Sequence, residues 1–91
     1  MAFRLIFTET YSRNALRWIK KHPDLKSQYL KTLKLLEANP FHPSLRLHSL
    51  SGRLQGLYSI SINLSYRITL ELIVRDEEII LVNVGDHDQV Y

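Results

Sequence analysis

The C-terminal part of the sequence contains three strand-like runs separated by short turns. The runs are Leu57–Leu64 (LYSISINL), Tyr66–Val74 (YRITLELIV) and Ile79–Val84 (IILVNV). The first alternates apolar and small polar residues, which is typical of a half-buried strand, and the acidic turn Arg75–Glu78 separates the last two. Together the three runs predict an antiparallel meander.

One shorter strand and two helices are predicted ahead of the meander. Phe3–Thr8 (FRLIFT) has the composition of a strand, and apolar residues then recur at helical spacing from Tyr11 until Pro23 ends the first helix. A second amphipathic helix opens at Pro23 and ends at residues 39–40. The order β-α-α-β-β-β predicts an α+β fold with a twisted, mainly antiparallel sheet and the two helices packed on one of its faces.

Length and composition limit the class of protein. A chain of 91 residues with 45% hydrophobic residues predicts a single domain spanning residues 1–91 rather than a disordered chain. There is no cysteine, so the core is held without disulfides. No apolar run reaches the length of a membrane span and the N-terminus lacks the pattern of a signal peptide, so we expect a cytoplasmic protein with no membrane partner.

The charge is unevenly distributed along the chain. Residues 1–67 contain eleven Lys and Arg against three acidic residues, a net charge of +8, whereas residues 68–91 have a net charge of −5. A basic body attracts polyanions such as nucleic acid through counterion release and steering. The same charges are equally consistent with helix surfaces that are merely solvated.

The common catalytic and cofactor motifs are absent from the sequence. None of the three glycines precedes a GK[ST] phosphate-binding sequence, and neither an HExxH motif nor a Ser-His-Asp spacing occurs. His42 and His48 are six residues apart with no cysteine or carboxylate beside them, which is weak spacing for a metal site. We therefore expect neither a metal nor a cofactor.

Two stretches of the sequence, residues 48–68 and 85–91, contain three short motifs. The patterns are H-x-L-x-G-x-x-x-G-x-Y/W, then Y/W-R-I at the next strand, then G-x-H-x-x-V/L-Y/F. They are matched by His48, Leu50, Gly52, Gly56, Tyr58, Tyr66, Arg67, Ile68, Gly85, His87, Val90 and Tyr91. With these motifs the chain resembles the RelE/ParE superfamily of bacterial type II toxins, closest to its YafQ-like branch. The resemblance covers nearly the whole chain, because the length and the order of elements also fit.

The resemblance implies an endoribonuclease that enters the ribosome and cuts mRNA, and the residue types suit that chemistry. Cleavage through the 2′-OH needs a base, an acid and a cation beside the phosphate. By resemblance, His48 and His87 are the acid–base pair, Arg67 faces the phosphate, and Tyr91 is the terminal aromatic of the site. The resemblance does not say which histidine is the acid, although the carboxylates on both sides of His87 favour its protonated form.

Further residues are candidates for binding RNA. Tyr66 matches an aromatic of the same site, where it would stack on a base, but a ring at the start of a strand equally suits core packing. The basic candidates are Arg53, Lys20, Lys21, Lys31 and Lys34. The lysines fit either a ribosomal RNA footprint or solvated helix faces.

The sequence also departs from the family, and alternatives remain open. A histidine and an aspartate of the YafQ-like pattern fall at Ser61 and Ser65, which removes two polar helpers. Arg67 has an alternative structural role in pairing with Glu71 or Asp86. The resemblance implies a cognate antitoxin, with an acidic segment that folds on binding, and the 70S ribosome with its mRNA as partners. The alternatives are a ParE-like toxin that acts on gyrase and a degenerate module that only binds antitoxin or nucleic acid.

Overall fold

The computed structural model describes residues 2–86 and confirms the α+β fold. The elements are β1 (Arg4–Phe7), α1 (Glu9–Lys21), α2 (Lys26–Ala38), β2 (His48–Ser49), β3 (Tyr58–Ser61), β4 (Tyr66–Ile73) and β5 (Glu78–Asp86). They form one five-stranded sheet in the order β1-β5-β4-β3-β2. The meander β2–β5 is antiparallel, and β1 joins its edge parallel to β5, so the sheet is mixed.

The start of each helix follows from local sequence chemistry. Thr8 is the N-cap of α1, where its hydroxyl accepts a hydrogen bond of 3.1 Å from the backbone N–H of Tyr11. After α1, residues Pro23–Leu25 form a 3-10 turn, so α2 begins at Lys26 rather than at Pro23. The sequence pattern placed the helix a turn too early because proline suits the first turn of either helix type.

One strand was not predicted. β2 contains only His48 and Ser49, which pair with Ser59 and Tyr58 of β3. Two residues are too few to show the alternation by which a strand is recognised from sequence. The strand exists because β3 presents an edge, and it places His48 on the sheet rather than in a loop.

The sheet separates side chains by alternation along its strands. In the central strand β4, Ile68 and Leu70 are fully buried. Tyr66 has the same parity and contacts Trp18 of α1, with 5.3 Å between the ring centroids. Arg67 therefore points to the opposite face, away from the helices. Among residues 2–86, no helix is both long and apolar enough to cross a bilayer.

A buried pair of tyrosines joins the two helices. The hydroxyls of Tyr11 in α1 and Tyr29 in α2 lie 2.8 Å apart, and both side chains are almost inaccessible to solvent. Burial raises the pKa of Tyr11 above its ordinary value of 10, and the nearby Tyr29 hydroxyl adds to this rise. Burial also raises the pKa of Tyr29, although its hydrogen bond with Tyr11 partly offsets the effect.

We expect this pair to destabilise the fold in alkali. Above pH 10 the unfolded chain releases phenol protons that the native state retains, so the free energy of unfolding falls as the pH rises. The two groups together contribute a limiting slope of about 2.7 kcal/mol per pH unit. The double variant Tyr11→Phe/Tyr29→Phe should lose this part of the slope while staying folded at pH 7, which urea unfolding at pH 7 to 11 measures. Tyr58→Phe leaves the pair intact and should follow the wild type; an unchanged slope in the double variant would contradict the prediction.

Candidate functional site

The turn between β3 and β4 is closed by one asparagine. The side-chain oxygen of Asn63 accepts hydrogen bonds from the backbone N–H groups of Ser65 and Tyr66, each at 2.8 Å. Such a side chain stabilises a tight turn by replacing a backbone acceptor. The turn fixes the register of the hairpin, in which Ser61 lies directly opposite Arg67.

Arg67 is held by its cross-strand neighbours. Its Nη1 donates a hydrogen bond of 2.7 Å to the Oγ of Ser61. On its other side, Arg67 is opposite Gly85 of β5, which has no side chain to occupy this face. The hydrogen bond to Ser61 on β3 therefore orients the guanidinium, and Gly85 on β5 leaves space beside it.

The remaining donors of Arg67 are not used by the described residues. Its Nε is buried without a hydrogen-bond partner among residues 2–86, and no salt bridge to Arg67 occurs within that range. The alternative in which Arg67 pairs with Asp86 is not observed, because Asp86 is opposite Tyr66 and so belongs to the helix side. Glu71 is on the same face as Arg67 but four residues further along β4, and it does not pair with it either.

His48 is exposed on β2, and its ring orientation is defined by the backbone. Its Nδ1 lies 3.1 Å from the carbonyl oxygen of Arg46. Since a carbonyl only accepts hydrogen bonds, Nδ1 carries the proton, and the lone pair of the neutral ring is on Nε2. Arg46, which supplies this carbonyl, has a left-handed backbone with φ of 51°. This tautomer is the one that a base acting through Nε2 requires.

The sheet brings His48 and Arg67 to one face. His48 is opposite Ser59, which is two residues from Ser61 on β3, and Ser61 is opposite Arg67. Two strand spacings and two residues along the strand correspond to about 12 Å between the two Cα atoms. Two long side chains that rise from the same face at this separation can reach a phosphodiester group between them.

The other RNA-binding candidates lie elsewhere. Lys20, Lys21, Lys31 and Lys34 are exposed on α1 and α2, so they belong to the helix side of the sheet. Tyr66 is half-buried on that side, against Trp18 and the ring of His22. The structure therefore separates these five residues from the face that carries Arg67.

Arg53 belongs to the loop between β2 and β3. It is exposed in a 3-10 turn, Gly52–Leu54, where Gly52 has a φ of +67°. Gly56 has a φ of +96°, and this left-handed conformation explains why the loop motif contains a glycine at each of these positions. The loop starts beside His48, which lines a cavity of about 300 Å³ together with Leu50 and Leu54.

Two of the catalytic candidates, His87 and Tyr91, lie outside the described residues. Within residues 2–86, no group of three His, Cys, Asp or Glu side chains is arranged to hold a metal ion. The described part of the candidate site thus consists of His48, Arg67 and Ser61.

Sequence reasoning missed two contributors to this geometry. Ser61 was noted only as a lost histidine, whereas it is the hydrogen-bond acceptor that orients Arg67. Pairing the two strands around a turn centred on residue 64 would have placed it opposite Arg67. The carbonyl of Arg46 was missed because a left-handed non-glycine residue leaves no clear signal in the sequence.

Comparisons with solved structures show which fold this is. YafQ from Escherichia coli strain BL21(DE3) is similar with a TM-score of 0.80 and 15% identity, over 98% of both chains. A YoeB/ParE toxin from Agrobacterium tumefaciens gives a TM-score of 0.73 at 14% identity, over 93% of this chain and 99% of that one. The toxin–antitoxin complex RelBE2 from Mycobacterium tuberculosis gives 0.64 at 17% identity, over 96% and 100%.

At these identities the likeness establishes the fold, which is that of RelE/ParE-type toxins, YafQ among them. It confirms at this level the resemblance inferred from the motifs. No protein-family model matches the sequence, and no curated protein matches it significantly.

We expect Ser61→Ala to loosen Arg67. Removing the acceptor of the Nη1 hydrogen bond should lower the free energy of unfolding by about 1 kcal/mol, measured by urea unfolding at pH 7. Ser61→Thr retains a hydroxyl and should recover part of the loss. Ser65→Ala is the matched control, because Ser65 uses its backbone rather than its side chain in the turn. Equal stabilities of Ser61→Ala and Ser65→Ala would contradict the assignment.

Proposed function

We propose that this protein is the toxin of a type II toxin–antitoxin system and that it cleaves mRNA on the ribosome without a metal ion. The observation that carries the proposal is that His48 and Arg67 lie on one face of the sheet, with His48 in the tautomer that has its lone pair on Nε2. The RelE/ParE-type fold supports it, because the similar structures include toxins and a toxin–antitoxin complex.

The chemistry needs four events, which we assign to named groups. Nε2 of His48 takes the proton of the 2′-OH, and the resulting oxygen attacks the neighbouring phosphorus. The P–O5′ bond breaks, and the leaving oxygen takes a proton from His87. The products are a 2′,3′-cyclic phosphate and a 5′-hydroxyl end. In this scheme Tyr91 packs near the scissile phosphate or the base beside it.

Arg67 supplies the positive charge that the phosphate requires. Negative charge increases on the phosphate oxygens during the attack, and a fixed guanidinium stabilises this charge without first having to reorganise. The hydrogen bond to Ser61 holds one end of the group, and the Nη2 donors are not used by other described residues. Ser61 thus assists through Arg67 at the position where the YafQ-like pattern has a histidine.

The partners of the proposed toxin are an antitoxin, the 70S ribosome and mRNA. RelBE2 is a complex of toxin and antitoxin, and we extend that association to this fold. A net charge of +8 over residues 1–67 favours both an acidic antitoxin segment and ribosomal RNA. Lys20, Lys31, Lys34 and Arg53 are exposed and contribute to this basic surface.

The test is cleavage of a defined mRNA in a purified translation system. The wild type should cut the mRNA only with ribosomes present, leave 2′,3′-cyclic phosphate ends, and fail on an mRNA carrying a 2′-deoxy residue at the cut. His48→Ala should lower the cleavage rate by about 10²- to 10⁴-fold, as expected for loss of a general base. Arg67→Ala should lower it by about 10²- to 10³-fold.

Two control variants test whether a lower cleavage rate comes from the position of the lost residue or only from the loss of a histidine or an arginine. His42→Ala removes an exposed histidine whose ring bonds to Ser44, and Arg75→Ala removes an exposed arginine in the turn before β5. Both should cleave at nearly the wild-type rate. An intact mRNA with uninterrupted translation would refute the proposal, and gyrase-dependent DNA breaks with intact mRNA would establish the ParE-like alternative instead.

A further inference from the structure

A cleft on the helix side of the sheet is not used by the proposed cleavage site. It has a volume of about 420 Å³, within the usual range for small-ligand sites. Its lining residues come from α1 and the segment after it, the start of β4 and the end of β5: Asn14, Arg17, Trp18, Lys21, His22, Tyr66, Asn83, Val84 and Asp86.

The floor of the cleft is aromatic. Trp18 is 6% exposed and lies against Tyr66 and His22, with 5.3 Å and 5.2 Å between ring centroids. The rings of His22 and Tyr66 are 4.7 Å apart at 52° and are only partly buried. Two rings therefore present accessible surface to the cleft above a buried third.

One wall of the cleft is cationic and partly pre-oriented. Arg17 and Lys21 are four residues apart on α1 and so lie on the same side of the helix. Asn14 accepts a hydrogen bond of 2.9 Å from Nη2 of Arg17, which directs the guanidinium along this wall. Among residues 2–86, Asp86 is the one carboxylate in the lining, so the two cations outnumber it there.

A buried donor in the cleft floor has no acceptor. Nε1 of Trp18 is buried and makes no hydrogen bond to any of residues 2–86. A buried N–H without an acceptor is costly. Because this atom is inaccessible to solvent, a ligand in the cleft would contact the rings of His22 and Tyr66 and the two cations instead.

We propose that this cleft binds one unpaired nucleotide of a single-stranded RNA, with the base against the rings of His22 and Tyr66 and its phosphate on Arg17 and Lys21. Rings beside cations are the combination by which proteins hold single-stranded nucleic acid. The polar lining and its two cations favour a ligand that carries a phosphate over an apolar peptide segment.

The cleft is separate from the cleavage face but lies close to it. Tyr66 and Arg67 are consecutive in β4 and point to opposite faces, and both stand at the end of the sheet where β4 begins and β5 finishes. An RNA strand that passes around this end would contact both sites. Binding in the cleft does not require cleavage, so this inference goes beyond the proposed function.

Trp18 is the only tryptophan, so its fluorescence reports on the cleft alone. We expect a 2′-O-methyl tetranucleotide, which cannot be cleaved through the 2′-oxygen, to quench this fluorescence in a saturable manner. Arg17→Ala/Lys21→Ala should weaken binding at least tenfold and reduce the slope of log K against log salt by about 0.7, the value for one phosphate that is no longer neutralised. Tyr66→Leu should weaken binding about tenfold through lost stacking.

The control is Lys26→Ala/Arg75→Ala, which removes the same charge from exposed residues outside the cleft and should bind nearly as the wild type does. Arg67→Ala should retain the quenching even where cleavage is lost, so failure of the proposed function leaves this test intact. Circular dichroism checks that each variant is folded.

Three results would overturn the inference. The first is an absence of quenching at any tetranucleotide concentration, and the second is equal affinity of the Arg17→Ala/Lys21→Ala variant and its control. The third is competition from another probe. An acidic peptide that binds more tightly than the tetranucleotide would mark a protein-docking site. A free nucleoside monophosphate that binds as tightly as the tetranucleotide would mark a free-nucleotide site.

Discussion

The alternation of side chains along β4 is the constraint on which the rest of the structure depends. β4 is the middle strand, paired with β3 on one side and β5 on the other. Its even-numbered residues from Tyr66 to Leu70 face the helices, and Arg67 faces away. A slip of one residue in its register would bury the guanidinium and expose the apolar residues. The Asn63 turn, which sets that register, therefore stabilises the core and positions Arg67 at once.

The strand and helix patterns were sufficient to predict the architecture. The alternating run Leu57–Leu64 and the apolar run Ile79–Val84 each exceed four residues, so their patterns are readable in the sequence. Pro23 and Pro40 mark the helix ends. The β2 strand and the Trp18–His22–Tyr66 cluster were not predicted. Each depends on which distant elements meet, and a pattern within one segment contains no information about that.

The residues of the candidate site were predictable from the sequence, but the contacts that orient them were not. Motif spacing brought out His48 and Arg67, and the sheet register accounts for why they share a face. The tautomer of His48 depends on the backbone of Arg46, and the orientation of Arg67 depends on Ser61, which lies directly opposite it on β3. Neither effect is visible in residue identity alone, because each arises from a hydrogen bond that exists only after folding.

The parallel pairing of β1 with β5 has a consequence for the timing of folding. Arg4 is opposite Glu78 across the sheet and forms an ion pair with it, 74 residues away in the chain. Closing so long a loop is entropically costly and precedes any gain from the contact. During synthesis the first strand stays unpaired until β5 has left the ribosome. The sheet is completed only after β5 has emerged, so a nascent chain that stops before β5 lacks the neighbour of both β1 and β4.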